Sequence, residues 1–274
     1  MTVALGLVCA DGVIVAADSM ASDGTTAHPA TKVNVVPNCS VVWTSSGTVY
    51  IAEEVEAAIA KEAARPNSPI LASCRSGNAE HVREVLSKTV CDAMRKCYQS
   101  ALPLGANQMF NVPGQQNPKH QFATSFLFLG WSDPGCWFLE IADDGQLNWH
   151  TDTAFYAIGS GGPFATVAQG LMHHYWESPR PVSDGRLVAY RAIASTIDVS
   201  SQFVGYPVRL AEATSQGARV LDDEEVEAEI KTSVERWMVL ERESLERLRV
   251  GDLEDLTATE EEIPSLNSKS GMDF

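Results

Sequence analysis

The chain has 274 residues, 45% of them hydrophobic, and sets 36 acidic residues against 20 basic ones for a formal net charge of −16. That content suits one large globular domain, or one domain with an appendage, and so acidic a surface repels phosphate backbones and anionic lipid. Nucleic acid and membrane are therefore not expected partners. The apolar runs are too short to span a bilayer, and no basic-then-apolar leader marks secretion. Six cysteines, at 9, 39, 74, 91, 97 and 136, form no CxxC pair, which suits reduced thiols in a cytoplasmic protein.

The first stretch, 2–18, reads as a β-hairpin. Apolar runs at 3–9 and 13–17 flank an Ala10-Asp11-Gly12 tip, and Asp-Gly between β-branched runs is a hairpin signal. Thr2 is small enough for an aminopeptidase to remove Met1, which would place a free α-amine beside a hydroxyl. Such an amine has a reference pKa near ~8 and can serve that hydroxyl as base. A polar turn follows at 22–29. Strands are expected at 32–36 and 41–44, the latter ending in Ser45-Ser46-Gly47.

Ile51, Val55, Ala58 and Ile59 recur at helical spacing until Pro66, and a second apolar stripe predicts a helix over 79–102, closed by Pro103. Residues 103–119 are rich in Pro, Gly, Asn and Gln, longer than a routine connection. Strands are expected at 124–131, 136–141, 147–151 and 155–158. Gly159-Ser160-Gly161-Gly162-Pro163 then opens a helix to about 176, and a further helix spans 183–197. A last hairpin is expected from 206–214 and 219–221. Asp222 and Glu225 form a capping pattern ahead of an apolar helix face from Val226 to Leu248. Residues 251–274 are acidic and rich in Ser and Thr, and are expected to be a disordered tail. No internal repeat is present.

This order of elements predicts an α+β protein, a four-layer αββα sandwich of two antiparallel sheets flanked by helices. One domain is expected over 1–250, with a long insert near 76–122.

Several groups could carry chemistry. Asp18 ends the second strand and Lys32 lies in a following one, so both come near Thr2 if those strands are neighbours. A lysine there would lower the effective pKa of the nucleophile. The 159–162 turn offers backbone N–H groups to an anion or an oxyanion, and the Ser45–Gly47 turn offers another. Asp198 and Ser201 follow a helix end. The 159–162 run has neither GxxxxGK[ST] nor GxGxxG spacing. There is no HExxH and no metal-spaced cluster, no GxSxG, and His173 and His174 face different sides of their helix. No metal and no cofactor are expected.

Taken together, Thr2, the run D-G-V-I-V-A-A-D at 11–18, Lys32, A-I-G-S-G-G at 157–162, Asp198 and Ser201 resemble the proteasome β-subunit family of N-terminal-nucleophile (Ntn) hydrolases. The resemblance covers roughly residues 2–230 and is weakest between 66 and 122. It implies Thr2 as nucleophile with its own α-amine as base, Asp18 and Lys32 tuning the site, and Ser160, Asp198 and Ser201 holding amine and hydroxyl in register. The oxyanion N–H falls to the turn ending in Gly47, with Ser45 or Ser46 as alternatives. It further implies threonine-type cleavage of peptides or unfolded protein inside a ring or spiral of copies of the chain, with an ATPase or other regulator as a further partner. The long inserts suggest one of the minor bacterial proteasome-like lineages, such as the ancestral β-like type (Anbu), more than the standard core particle. A non-catalytic ring or scaffold subunit, or a small-molecule amidase of the same fold, are the alternative readings.

Overall fold

The computed structural model describes residues 2–22, 27–101, 123–132, 135–150, 153–173, 179–200 and 204–250. The contacts divide the chain into two units, 1–231 and 232–274.

The first unit opens with β1 (Ala4–Val8) and β2 (Gly12–Ala17), the expected hairpin. Short strands β3 (Met20–Ser22) and β4 (Ala27–Pro29) pair only with each other. Next come β5 (Val33–Val35) and β6 (Val41–Gly47), then α1 (Val49–Ala63), α2 (Pro69–Ser76) and α3 (Ala79–Ala101). Strands β7 (Thr124–Ser132), β8 (Gly135–Ile141), β9 (Leu147–His150) and β10 (Phe155–Ile158) follow. Helices α4 (Gly162–His173) and α5 (Val182–Val199) lead to β11 (Arg209–Thr214) and β12 (Gly217–Val220). A short α6 (Asp223–Glu225) runs into a π-helical turn, Val226–Lys231. The second unit holds α7 (Thr232–Val250).

Two five-stranded sheets result, ordered β10-β1-β2-β11-β12 and β5-β6-β7-β8-β9, with every pairing antiparallel. All six residues of β2 are buried, because both faces of its sheet are covered. Val13, Val15 and Ala17 face the other sheet and meet Val42, Leu127, Leu129 and Phe138 in a shared core. Ile14 and Leu7 face outward onto α5, where a Cβ on Gly185 would fall 2.8 Å from Ile14. On the far side Trp43, Phe126, Phe128 and Leu139 pack against Ile51, Val55 and Ile59 of α1 and Leu86 and Val90 of α3. The layers are thus helices α1–α3, one sheet, the other sheet, and helices α4 and α5. This is the expected αββα sandwich.

The details differ in places. Helix α2 was not expected; Ser68 caps it by accepting from the Leu71 N–H, Pro69 opens it, and Gly77 closes it in the left-handed region at φ 67°. The final hairpin strand begins at Arg209 rather than 206, past Pro207, which has no N–H for a ladder. The capping pattern at Asp222 is present, its carboxylate accepting from the Glu225 N–H at 2.7 Å. The 103–119 loop and the 251–274 tail lie outside the described residues.

Candidate active site

Antiparallel pairing of β1 with β2 sets Ala4 opposite Ala17, so the next residues out, Val3 and Asp18, are also opposed. The Asp18 N–H donates to the Val3 carbonyl at 3.1 Å, and the Val3 N–H returns a bond to Asp18 Oδ1 at 3.1 Å. The Asp18 side chain is buried and filled with donors. Oδ1 also takes Lys32 Nζ at 2.7 Å, and Oδ2 takes the N–H groups of Met20 at 3.1 Å and Gly205 at 3.3 Å. Four donors thus converge on one carboxylate, two on each oxygen.

Lys32 is 6% exposed. Its ammonium meets three acceptors: Asp18 Oδ1, the Met20 carbonyl, and Thr2 Oγ1 at 3.1 Å. An ammonium has three protons, so all are committed, one of them to the threonine hydroxyl oxygen. Burial pushes the Lys32 pKa down, and Asp18 opposes that shift. The pair therefore holds a desolvated donor against the Thr2 oxygen, the position where negative charge develops when that oxygen ionises.

Thr2 is fixed from the other side by the 159–162 turn. Its N–H donates to Ser160 Oγ at 3.4 Å, and its carbonyl accepts from the Gly161 N–H at 3.0 Å. Gly159 sits at φ 85°, and a Cβ there would lie 2.3 Å from the Thr2 carbonyl oxygen. Only glycine permits that approach. The Gly162 N–H donates to the Gly159 carbonyl, so the N–H groups of Gly161 and Gly162 are spent on the turn and on Thr2 rather than turned toward an anion.

Beside Thr2 opens a cleft of about 610 Å³, lined among others by Lys32, Ser45, Gly47 and residues of α1. Gly47 has φ 129°, and a Cβ there would lie 2.0 Å from the Ala123 carbonyl, so this corner of the wall also requires glycine. The structure thus brings Thr2, Asp18, Lys32, Ser160 and Gly47 together. Asp198 is exposed on the last turn of α5 and accepts from the Tyr206 hydroxyl at 3.2 Å. No hydrogen bond joins it to Thr2 among the described residues. Ser201 lies outside them. The α1 residues of the cleft, Val49, Ala52, Glu53 and Glu56, were missed from sequence; their spacing of i, i+3, i+4, i+7 was the available signal. Among the described residues no group of three His, Cys, Asp or Glu side chains could hold a metal ion, and no helix is long and apolar enough to cross a membrane.

These layers, with a threonine at the start of the first strand, define the Ntn-hydrolase fold. No protein-family model matches the chain. Curated relatives named proteasome subunit beta do: that of Methanocaldococcus fervens is 24% identical over 227 residues, 82% of this chain and 87% of the relative. That of Methanococcus maripaludis is 25% identical over 232 residues, 84% and 91% of the two chains. Among solved structures, Anbu (ancestral beta-subunit) from Yersinia bercovieri superposes with a TM-score of 0.64 at 14% identity, covering 90% of this chain and 97% of that one. An Anbu mutant from Hyphomicrobium sp. strain MC1 matches equally, at 0.64 and 17% identity over the same shares. The chain is thus similar to proteasome β-subunits at 24–25% identity, and to Anbu in fold.

Proposed function

We propose that the chain is a threonine-type peptidase that cleaves peptide bonds with Thr2 as nucleophile once Met1 is removed. The observation that carries this reading is the Lys32 ammonium, 3.1 Å from Thr2 Oγ1 and 2.7 Å from Asp18 Oδ1. Removal of Met1 turns the Thr2 nitrogen from an amide into an α-amine, and the Ser160 hydroxyl is already within 3.4 Å of it. The amine takes the proton from Oγ1 as Oγ1 attacks the peptide carbonyl. It then passes that proton to the departing amine, leaving an ester on Thr2. Water, deprotonated by the same amine, attacks the ester; the bond to Oγ1 breaks, the amine returns the proton to Oγ1, and the acid is released. Lys32 stabilises the oxygen of Thr2 as it gains charge. Asp18 acts through Lys32 as a positioning residue, and the turn at Gly47 supplies the N–H for the tetrahedral oxyanion.

Asp198 and Ser201 are assigned by resemblance to the support of the amine. Copies of the chain are proposed to assemble into a closed ring or spiral in the cytoplasm, taking peptides or unfolded protein and served by an ATPase or other regulator. No cofactor enters the steps.

The test is intact mass before and after a peptide epoxyketone, which requires a free N-terminal threonine. A mass lacking Met1 and a single adduct that is lost in Thr2→Ala are expected. Retained Met1 with no adduct would replace this reading by that of a non-catalytic ring subunit.

A further inference from the structure

Helix α1 forms one wall of the cleft beside Thr2. The residues it contributes, Val49, Ala52, Glu53 and Glu56, fall on a single helical face. Val49 stands two residues beyond Gly47. Glu53 lies about one turn further along the wall and Glu56 about two, roughly 10 Å from Val49 along the axis. The wall is therefore apolar and small near Gly47 and anionic further along the helix.

The cleft's own basic side chains do not pair with that end. Lys32 has its three protons on Asp18, Met20 and Thr2, and His28 is the other basic side chain lining the space. Among the described residues, neither Glu53 nor Glu56 makes a hydrogen bond or an ion pair, although neighbouring Glu62 is paired with Arg65. Two exposed carboxylates without a partner of their own thus line the cleft beside Thr2.

We propose that this cleft selects a cationic side chain, lysine or arginine, on the residue whose carbonyl Thr2 attacks. The inference rests on the reading of Thr2 as the nucleophile. A long basic side chain matches both halves of the wall. Its methylene stem lies along Val49 and Ala52, and its charged head reaches Glu53 and Glu56. An acidic side chain meets two like charges, so the same wall repels as well as attracts.

The test uses the full-length protein and three peptide epoxyketones that differ only in the reacting residue: arginine, leucine or glutamate. The rate of adduct formation is read by intact mass, and cleavage of the matching fluorogenic peptides is read alongside. Arginine is expected to exceed leucine about tenfold, with glutamate slowest, as two partly exposed charge contacts allow. The arginine-to-leucine ratio is expected to fall to about one in E53Q/E56Q, and the order of arginine and glutamate to invert in E53K/E56K. A ratio at or below one in the natural protein, or one that survives E53Q/E56Q, overturns the proposal while leaving the nucleophile in place. No adduct with any of the three overturns the nucleophile reading and this inference with it.

Discussion

The Lys32 ammonium donates to the Thr2 hydroxyl oxygen across 3.1 Å, in a site where the lysine is 6% exposed. Burial weakens the hold of Lys32 on its proton, and Asp18 restores part of it. In the proposed mechanism this cation lowers the energy of an ionising Thr2 oxygen and of an uncharged Thr2 amine. Lys32→Met removes both effects. Hydrolysis is expected to fall about 10²-fold or more. The acid limb of the pH–rate profile is expected to move to higher pH, because an amine without a nearby cation binds its proton more tightly. An unshifted limb with an unchanged rate would reduce Lys32 to a structural partner of Asp18.

Thr2 itself is buried, 7% exposed. Thr2→Ala should abolish hydrolysis and take one acceptor from the Lys32 ammonium. The loss of that hydrogen bond is expected to cost about 1 kcal/mol of stability. Thr2→Ser keeps the oxygen and is expected to retain both stability and epoxyketone reactivity. Urea unfolding and adduct mass, measured on both variants, separate the two effects; a reactive Thr2→Ala protein would defeat the mechanism.

Asp18 carries a larger structural burden. Its carboxylate accepts from Val3, Met20, Gly205 and Lys32, joining the first hairpin to the segment ahead of β11. Asp18→Asn leaves the buried lysine without its counter-ion, and the expected loss is about 3–5 kcal/mol. The double variant Asp18→Asn with Lys32→Met should recover part of that loss, since no unpaired charge remains. A double-variant loss equal to the sum of the two single-variant losses would show that the pair is not coupled.

Much of this was legible because hairpin geometry is local. The Asp-Gly tip and the β-branched runs fixed the register that sets Asp18 beside Val3, and Lys32 follows within fifteen residues. Helix α2 escaped because 8 residues are too few for periodicity to register, though Ser68-Pro69 and Gly77 marked its ends. The short strands β3, at the entry to the 22–29 turn, and β4, at its end, escaped for the same reason of length. Glu53 and Glu56 share a helical face with Val49 and Ala52, but sequence alone does not tell a wall of a cleft from open surface. Asp198 was placed by motif, and the structure pairs it with Tyr206; its proposed companion Ser201 is outside the described residues.

The turn at Gly159 offers a backbone test. At φ 85°, an alanine Cβ would meet the Thr2 carbonyl at 2.3 Å and Ser46 Oγ at 2.7 Å. The serine can rotate away, but the carbonyl is backbone and is held by Gly161. Gly159→Ala should therefore push Thr2 off Lys32 and add strain of about 1–3 kcal/mol. Adduct formation is expected to drop more than in Gly145→Ala, where φ is also positive, at 84°, but the space around the Cβ is open. Equal reactivity in the two variants would mean that the close approach does not position the nucleophile.

Acid stability should report on a separate network. Arg219 grips Glu225 with two guanidinium nitrogens at 2.7 and 2.8 Å, and Arg186 adds a third contact at 3.3 Å. Both arginines also reach Glu212, so α5, β11, β12 and α6 share one set of charges. The Arg219 hydrogen bonds hold the Glu225 carboxyl below the usual carboxylate range. A carboxyl whose folded pKa is depressed stabilises the fold above its unfolded pKa of about 4.3, and that stability is lost as pH falls through the lower folded value. Glu225→Gln should cost about 1 kcal/mol or less at pH 7, since the group is only partly enclosed. Between about pH 5 and 3 the variant should also lose less stability than the natural protein, because it has no proton to take up there. Urea midpoints across that interval measure the difference; parallel curves would show that Glu225 is no more tightly held folded than unfolded.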